Sequence, residues 1–410
     1  GGRFTEIPDD TFYEALVALG FDADDADPAT KNTVLISKIE HLKTLDVSNK
    51  DIKNLTGIKE FKLLKELDCS ANYLNELDLI GMRNLERLNC ASNAFLTTNT
   101  ANTLGLLNIT GTDNLIDLFC GSNYLKDLDV SLNLKLEELD CSNNNLDAVI
   151  LNTDIKILNI SNNYLKTIDI TANTNIIELN CNNNQIVSVK GSVNNLSLKK
   201  LSTDSNGLKV LDVSYYTALT NLSSKSNVLT ELLLSSNKLL DSLDFTSNKI
   251  AAIVLTDNTA LTLIQGGQNE LTGLDLSTNT ALKTLKIDNN KINNLILSSN
   301  NKIKYLFGSS NQLTSLDISN LTELVELNVS SNVLSELILA TNLGNLRSFN
   351  VSKNVLEVLL LDAIGVNPCP TAITYPGGYQ DSCPGKISIN VSNNQLGFLS
   401  VKNVNYANIT

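Results

Sequence analysis

Asp117 and Glu138 stand 21 residues apart, and if the chain coils with that period their carboxyls meet on neighbouring strands. Two carboxyls ~5 Å apart are the arrangement of a retaining glycosidase, one acting as nucleophile and the other as acid and base. A second acidic group, Asp22, Asp24, Asp25 and Asp27, invites comparison with a calcium loop. An EF-hand starting at Asp22 would need glycine at its sixth place and glutamate at its twelfth, where Asp27 and Thr33 stand instead. The expectation there is a solvated acidic loop. The only histidine, His41, has no partners for a metal site and no G-x-S-x-G elbow for a hydrolase triad. No metal and no cofactor is expected.

The pattern that must position these groups is visible in Leu64-Lys-Glu-Leu67-Asp-Cys69-Ser-Ala-Asn72. Positions one, four and six are apolar, and Leu67, Asp68 and Cys69 alternate with period two, the mark of a short strand with one buried face. The frame returns at Leu198, Leu219, Leu240, Leu261, Leu282, Ile303 and Leu324, a period of 21, and fifteen asparagines from Asn72 to Asn394 occupy its ninth place. A period of this length means one unit stacked many times, here about sixteen turns, rather than a single globular core. The asparagine amide, with donors and an acceptor, can serve the backbone groups left unpaired at each bend. Second segments such as Leu74-x-x-Leu77-Asp78-Leu79 supply the opposite wall and read as extended.

L-x-x-L-x-L/C-x-x-N-x-L is the leucine-rich-repeat signature, and the 21-residue form with cysteine at position six resembles bacterial surface leucine-rich-repeat proteins of the internalin kind. The resemblance covers about Leu42 to Asn394. It implies a β-rich leucine-rich-repeat solenoid: a right-handed coil with a parallel concave sheet and little helix outside an N-terminal cap. It also implies a non-catalytic role in surface attachment or protein binding. The chain shows no L-P-x-T-G motif and no immunoglobulin-like segment after the repeats. Gly1-Gly2 suggests that an export signal has been removed, and an extracytoplasmic, cell-surface or secreted location is expected.

Four segments follow: a helical cap over residues 1–41, the solenoid over 42–361 with an insertion at 94–114, a Pro/Gly/Cys loop over 362–386, and a last repeat over 387–410. Asp9 and its neighbours offer a helix start, with Phe12, Leu16 and Leu19 at helical spacing. Cys69, Cys90, Cys120, Cys141 and Cys181 share position six and should form one inward column of free thiols, too far apart for a relaxed disulfide. Cys369 and Cys383 lie in the Pro/Gly loop and should form a disulfide, worth ~3 kcal/mol by loop entropy and implying an oxidising compartment.

A net charge of −13 argues against nucleic acid and against an anionic membrane surface, and no stretch is long and apolar enough to span a bilayer. Outward strand positions are acidic or polar in the early turns (Glu66, Asp68, Glu178), with Phe119 and Ile157 as exceptions. Later turns bring Leu263, Gln265, Lys286, Tyr305 and Phe307 onto adjacent strands, a candidate binding patch because exposed aromatics anchor interfaces. The expected role is recognition or adhesion by a monomer that binds a cell-surface protein or glycan. A polysaccharide hydrolase or lyase and a structural spacer are the alternatives. Acidic ladders create carboxylate pairs automatically, and with no tryptophan there is no indole sugar platform.

Overall fold

The computed structural model describes residues 2–21, 32–93, 106–361 and 387–400, with the backbone alone for 406–409. Two compact units divide the chain, residues 1–206 and 207–410. In the first, eight three-residue strands from Thr44–Asp46 to Lys200–Ser202 pair in parallel, each with the strand one turn later. In the second, nine strands from Asn221–Ser223 to Tyr406–Ile409 do the same. Each is a stack of turns with very little helix: a leucine-rich-repeat solenoid, as the period requires.

The alternation decides which side chains face in. Leu67, Leu88, Leu118, Leu139, Leu158, Leu179 and Leu201 stand in register at the central strand position, all 2% exposed or less. Their flanking residues point outward. The opposite wall is paired less continuously. Its strands associate two by two, as in Glu76–Asp78 with Leu106–Asn108 and Asp127–Asp129 with Ala148–Ile150. Leu106–Asn108 belongs to this regular wall, so residues 106–114 continue the turn pattern. Residues 94–105 and 362–386, like the aspartates of 22–27, lie outside the described residues.

The cap opens with strand Phe4–Glu6, antiparallel to Thr33–Leu35, and helix Asp10–Ala18 follows. The Asp9 side chain caps this helix: Oδ1 accepts the Phe12 N–H at 2.9 Å. Its Oδ2 accepts from the Lys53 and Asn54 N–H groups at 2.8 and 2.9 Å, tying the cap to the first turns. Phe12, Ala15 and Leu16 are buried, whereas Leu19 is 48% exposed. Leu19 therefore does not join the cap core as the spacing suggests: the helix ends at Ala18, and Gly20 turns the chain away at φ +87°.

The frame asparagines close each bend. Asn290 is representative. Its Nδ2 donates to the carbonyls of Gly266 and Ile287, both at 3.0 Å, and its Oδ1 accepts the Leu271 N–H at 3.1 Å. One amide thus ties three backbone groups across two turns.

Position six shows how tightly neighbouring turns fit. Phe245 fills the space beside Gly266, where an added Cβ would lie 2.3 Å from the Phe245 ring. Gly266→Cys places the residue common at this position onto an occupied site. It should destabilise by about 1–3 kcal/mol, the usual cost of overpacking. Phe245→Leu should recover part of that loss in the double variant. Urea unfolding of the four proteins tests the coupling; additive effects would mean that the two side chains do not compete.

Candidate binding faces

Parallel register sets the geometry of the candidate patch. On the second unit's continuous sheet, Leu263, Thr284, Tyr305 and Glu326 are successive partners, and Gln265, Lys286, Phe307 and Asn328 form the adjacent row. The expected patch residues are therefore brought together on three neighbouring strands. Tyr305 is 38% exposed, Lys286 is exposed, and Leu263, Gln265 and Phe307 are half-buried. The Lys286 Nζ lies 5.8 Å from the centre of the Phe307 ring, within reach of its negative face. Gln265 Nε2 donates to Asp244 Oδ2 at 3.2 Å, and Asp288 Oδ1 accepts from the Ser309 N–H and hydroxyl at 2.8 and 2.6 Å. These bonds leave a firm polar border around an apolar centre.

Cys69, Cys90, Cys120, Cys141 and Cys181 are all free and 0% exposed. Burial pushes the Cys90 and Cys181 thiols up to about 12, and raises Cys69, Cys120 and Cys141 as well. Thiolate is the reactive form, so these groups are inert in the folded protein. Alkylation read by mass should give no label on the native chain and five after denaturation. With the expected disulfide between Cys369 and Cys383, which lie outside the described residues, adding reductant should give seven. Label on the native column would overturn the inert reading, and seven without reductant would remove the disulfide.

The other chemical candidates take ordinary places. His41 is exposed, with Nε2 3.7 Å from Glu40 Oε1. Asp117 and Glu138 are strand partners, but Asp117 is held by Arg87, whose Nε is 3.0 Å away. No cluster able to hold a metal occurs among the described residues. No helix among them is long and apolar enough to cross a membrane. A cleft of about 500 Å³ lies beside the cap, walled by Phe4, Leu77 and the carboxylates Glu6, Glu60, Glu76 and Asp78. Its one ammonium, Lys59, is already paired to Asp78.

Two repeated features escape the frame as read from sequence. Position eight has positive φ in every described turn, from Asn49 at 54° to Asn393 at 56°. The recurrence of Asn and Ser there is the available signal, since asparagine tolerates this region best among residues with a Cβ. A second asparagine column, Asn237, Asn258, Asn279 and Asn300, lies fully buried in the second unit. Asn279 Nδ2 donates to the Leu255 and Asn258 carbonyls at 3.0 and 2.9 Å, and Asn300 repeats the pattern one turn later. Its sequence trace is L-x-x-N-x-x-L, as in Leu276 to Leu282, which is easily mistaken for a surface loop.

No protein-family profile and no curated protein matches the chain. Among solved structures it is similar to the functional domain of InlJ from Listeria monocytogenes, which includes a cysteine ladder. The identity is 27%, over 88% of this chain and 84% of that one, with a TM-score of 0.64. YopM from Yersinia enterocolitica WA-314 shares the fold at 19% identity, over 97% of this chain and 99% of that one, with a TM-score of 0.55. So does the LRIM1/APL1C complex, at 18% identity, 82% and 67% coverage and a TM-score of 0.63. The chain is therefore a leucine-rich-repeat protein, similar to InlJ in its fold and in carrying a column of cysteines within the repeats.

Proposed function

We propose that this chain is a non-catalytic recognition protein of a bacterial surface, acting outside the cytoplasm as a monomer. It binds a protein partner through Leu263, Gln265, Lys286, Tyr305 and Phe307. The single observation that carries this reading is the exposed Tyr305 with the half-buried Phe307 two residues on, both on the outward face of one parallel-sheet strand. Aromatics so placed are over-represented among residues that dominate binding energy. The LRIM1/APL1C neighbour is itself a complex. A rigid sheet suits such a role because outward side chains can change without disturbing the inward leucines.

The test is retention of host-secretion or envelope proteins on the immobilised chain, compared with a Tyr305→Ala, Phe307→Ala double variant. Loss of retention with an unchanged melting temperature supports the patch; equal retention removes it. Release of reducing ends from a panel of polysaccharides would instead establish the hydrolase alternative.

A further inference from the structure

The first unit presents a different surface on its own continuous sheet. Along one outward row the register reads Asp117, Glu138, Ile157 and Glu178. Ile157 is 39% exposed, and Phe119, one row over on the Asp117 strand, is half-buried. An aliphatic side chain thus stands between two glutamates, with an aromatic ring on the strand beyond Glu138.

The charges on this row are unequally satisfied. Asp117 is paired to Arg87 at 3.0 Å, and Glu178 to Lys200 at 2.7 Å. Asp140, beside Glu138 on the same strand, accepts from the Ser142 N–H and hydroxyl through Oδ1 and from Asn159 Nδ2 through Oδ2. The Glu138 carboxylate alone makes no ion pair or hydrogen bond among the described residues. Partial burial pushes its carboxyl up, and Asp117 adds to that. Arg87 opposes that rise without pairing to Glu138. An exposed isoleucine next to a carboxylate with no ion-pair partner of its own contributes little to folding, but it is the chemistry an interface needs.

We propose that this face of the first unit docks a basic segment of a partner protein, one arginine or lysine of which lays its methylene stem on Ile157 and its charged head on Glu138. The apolar floor selects such a side chain over a small cation, because long basic side chains bury their stems while the head keeps a polar contact. A head near Phe119 gains further from the ring face. Charge complementarity points the same way. Most of the chain's acidic excess falls within residues 1–206, so a basic partner is steered toward this unit before contact. This proposal is independent of the patch on the second unit, and either can fail alone.

The experiment is fluorescence anisotropy of a labelled nonapeptide of alternating arginine and serine, at near-physiological salt. Saturable binding is expected. Glu138→Gln should weaken it about tenfold, the loss of one charge-assisted bond. Ile157→Ser should weaken it about threefold to fivefold, since the stem loses its floor. Asp147→Asn, an exposed carboxylate outside the continuous sheet, should change it by less than about twofold. Circular dichroism melts of the variants check that each remains folded. Absence of saturable binding overturns the proposal. So do equal losses from Glu138→Gln and Asp147→Asn, which would mean diffuse attraction to an acidic chain, and equal binding of a glutamate–serine nonapeptide.

Discussion

Asn290→Ala should cost about 2–4 kcal/mol of unfolding free energy. The Leu271 N–H loses its partner, and the Gly266 and Ile287 carbonyls each lose one of two amide donors, Asn269 and Asn311 keeping the other. Asn290 is buried, so bulk water does not replace the amide. The unpaired N–H costs about 1–3 kcal/mol and each lost carbonyl bond about 0.5–1.5 kcal/mol, which together exceed anything alanine gains in propensity. Because each turn rests on its neighbours, the loss should lower the urea midpoint of the cooperative transition and not merely fray one loop. A change below about 1 kcal/mol would mean that water serves these groups and that the ladder is not a stabilising device.

Asn290→Asp should be worse than alanine near neutral pH and should improve in acid. A carboxylate still accepts from Leu271 but faces carbonyl oxygens where the amide donated, so its charged form is disfavoured. Its folded pKa then lies above the unfolded value of about 3.9, and the folded state holds the proton more tightly. The destabilisation is greatest above the folded pKa and shrinks as pH falls through it. Unfolding curves at neutral and mildly acidic pH check the sign.

The fold was legible because its two signals, a period of 21 and a strand alternation inside it, repeat many times. A chance match at one turn is corrected by the others. The cysteine column followed directly from position six, and the structure buries all five thiols. Features that depend on backbone conformation were harder. Positive φ at Gln268 or Lys353 leaves no trace in those residue types. The second asparagine column shares its composition with ordinary polar turns, and only the bonds from Asn258, Asn279 and Asn300 reveal it. Single-copy features fared worst: Leu19 fits helical spacing, yet it lies past the last helical residue. On the binding faces, the side chains and their rows were legible from the frame alone. Which charge lacks a partner was not, because that depends on whether Arg87 reaches Asp117 or Glu138.

Removing Tyr305 and Phe307 together should abolish partner binding, by about a thousandfold or more, while the melting temperature stays within a degree or two. Interface aromatics that act as anchors cost about 2 kcal/mol or more each when truncated, and every 1.4 kcal/mol is tenfold in affinity. Folding depends on them much less. Tyr305 points out of the sheet, and its inward neighbour Leu306, 0% exposed, is untouched. The fold gives up the pairing of Lys286 with the Phe307 ring, worth about 0.5–1 kcal/mol, and the contacts of the half-buried part of that ring. Lys286→Ala removes the same pairing but keeps both rings, so it separates the two contributions. Should Lys286→Ala match the double variant, the partner recognises charge rather than ring surface. Should the double variant lose several degrees, the aromatics belong to the scaffold and the recognition face lies elsewhere. The asymmetry between a large loss of binding and a small loss of stability is what distinguishes a site from a wall in a protein built of repeated walls.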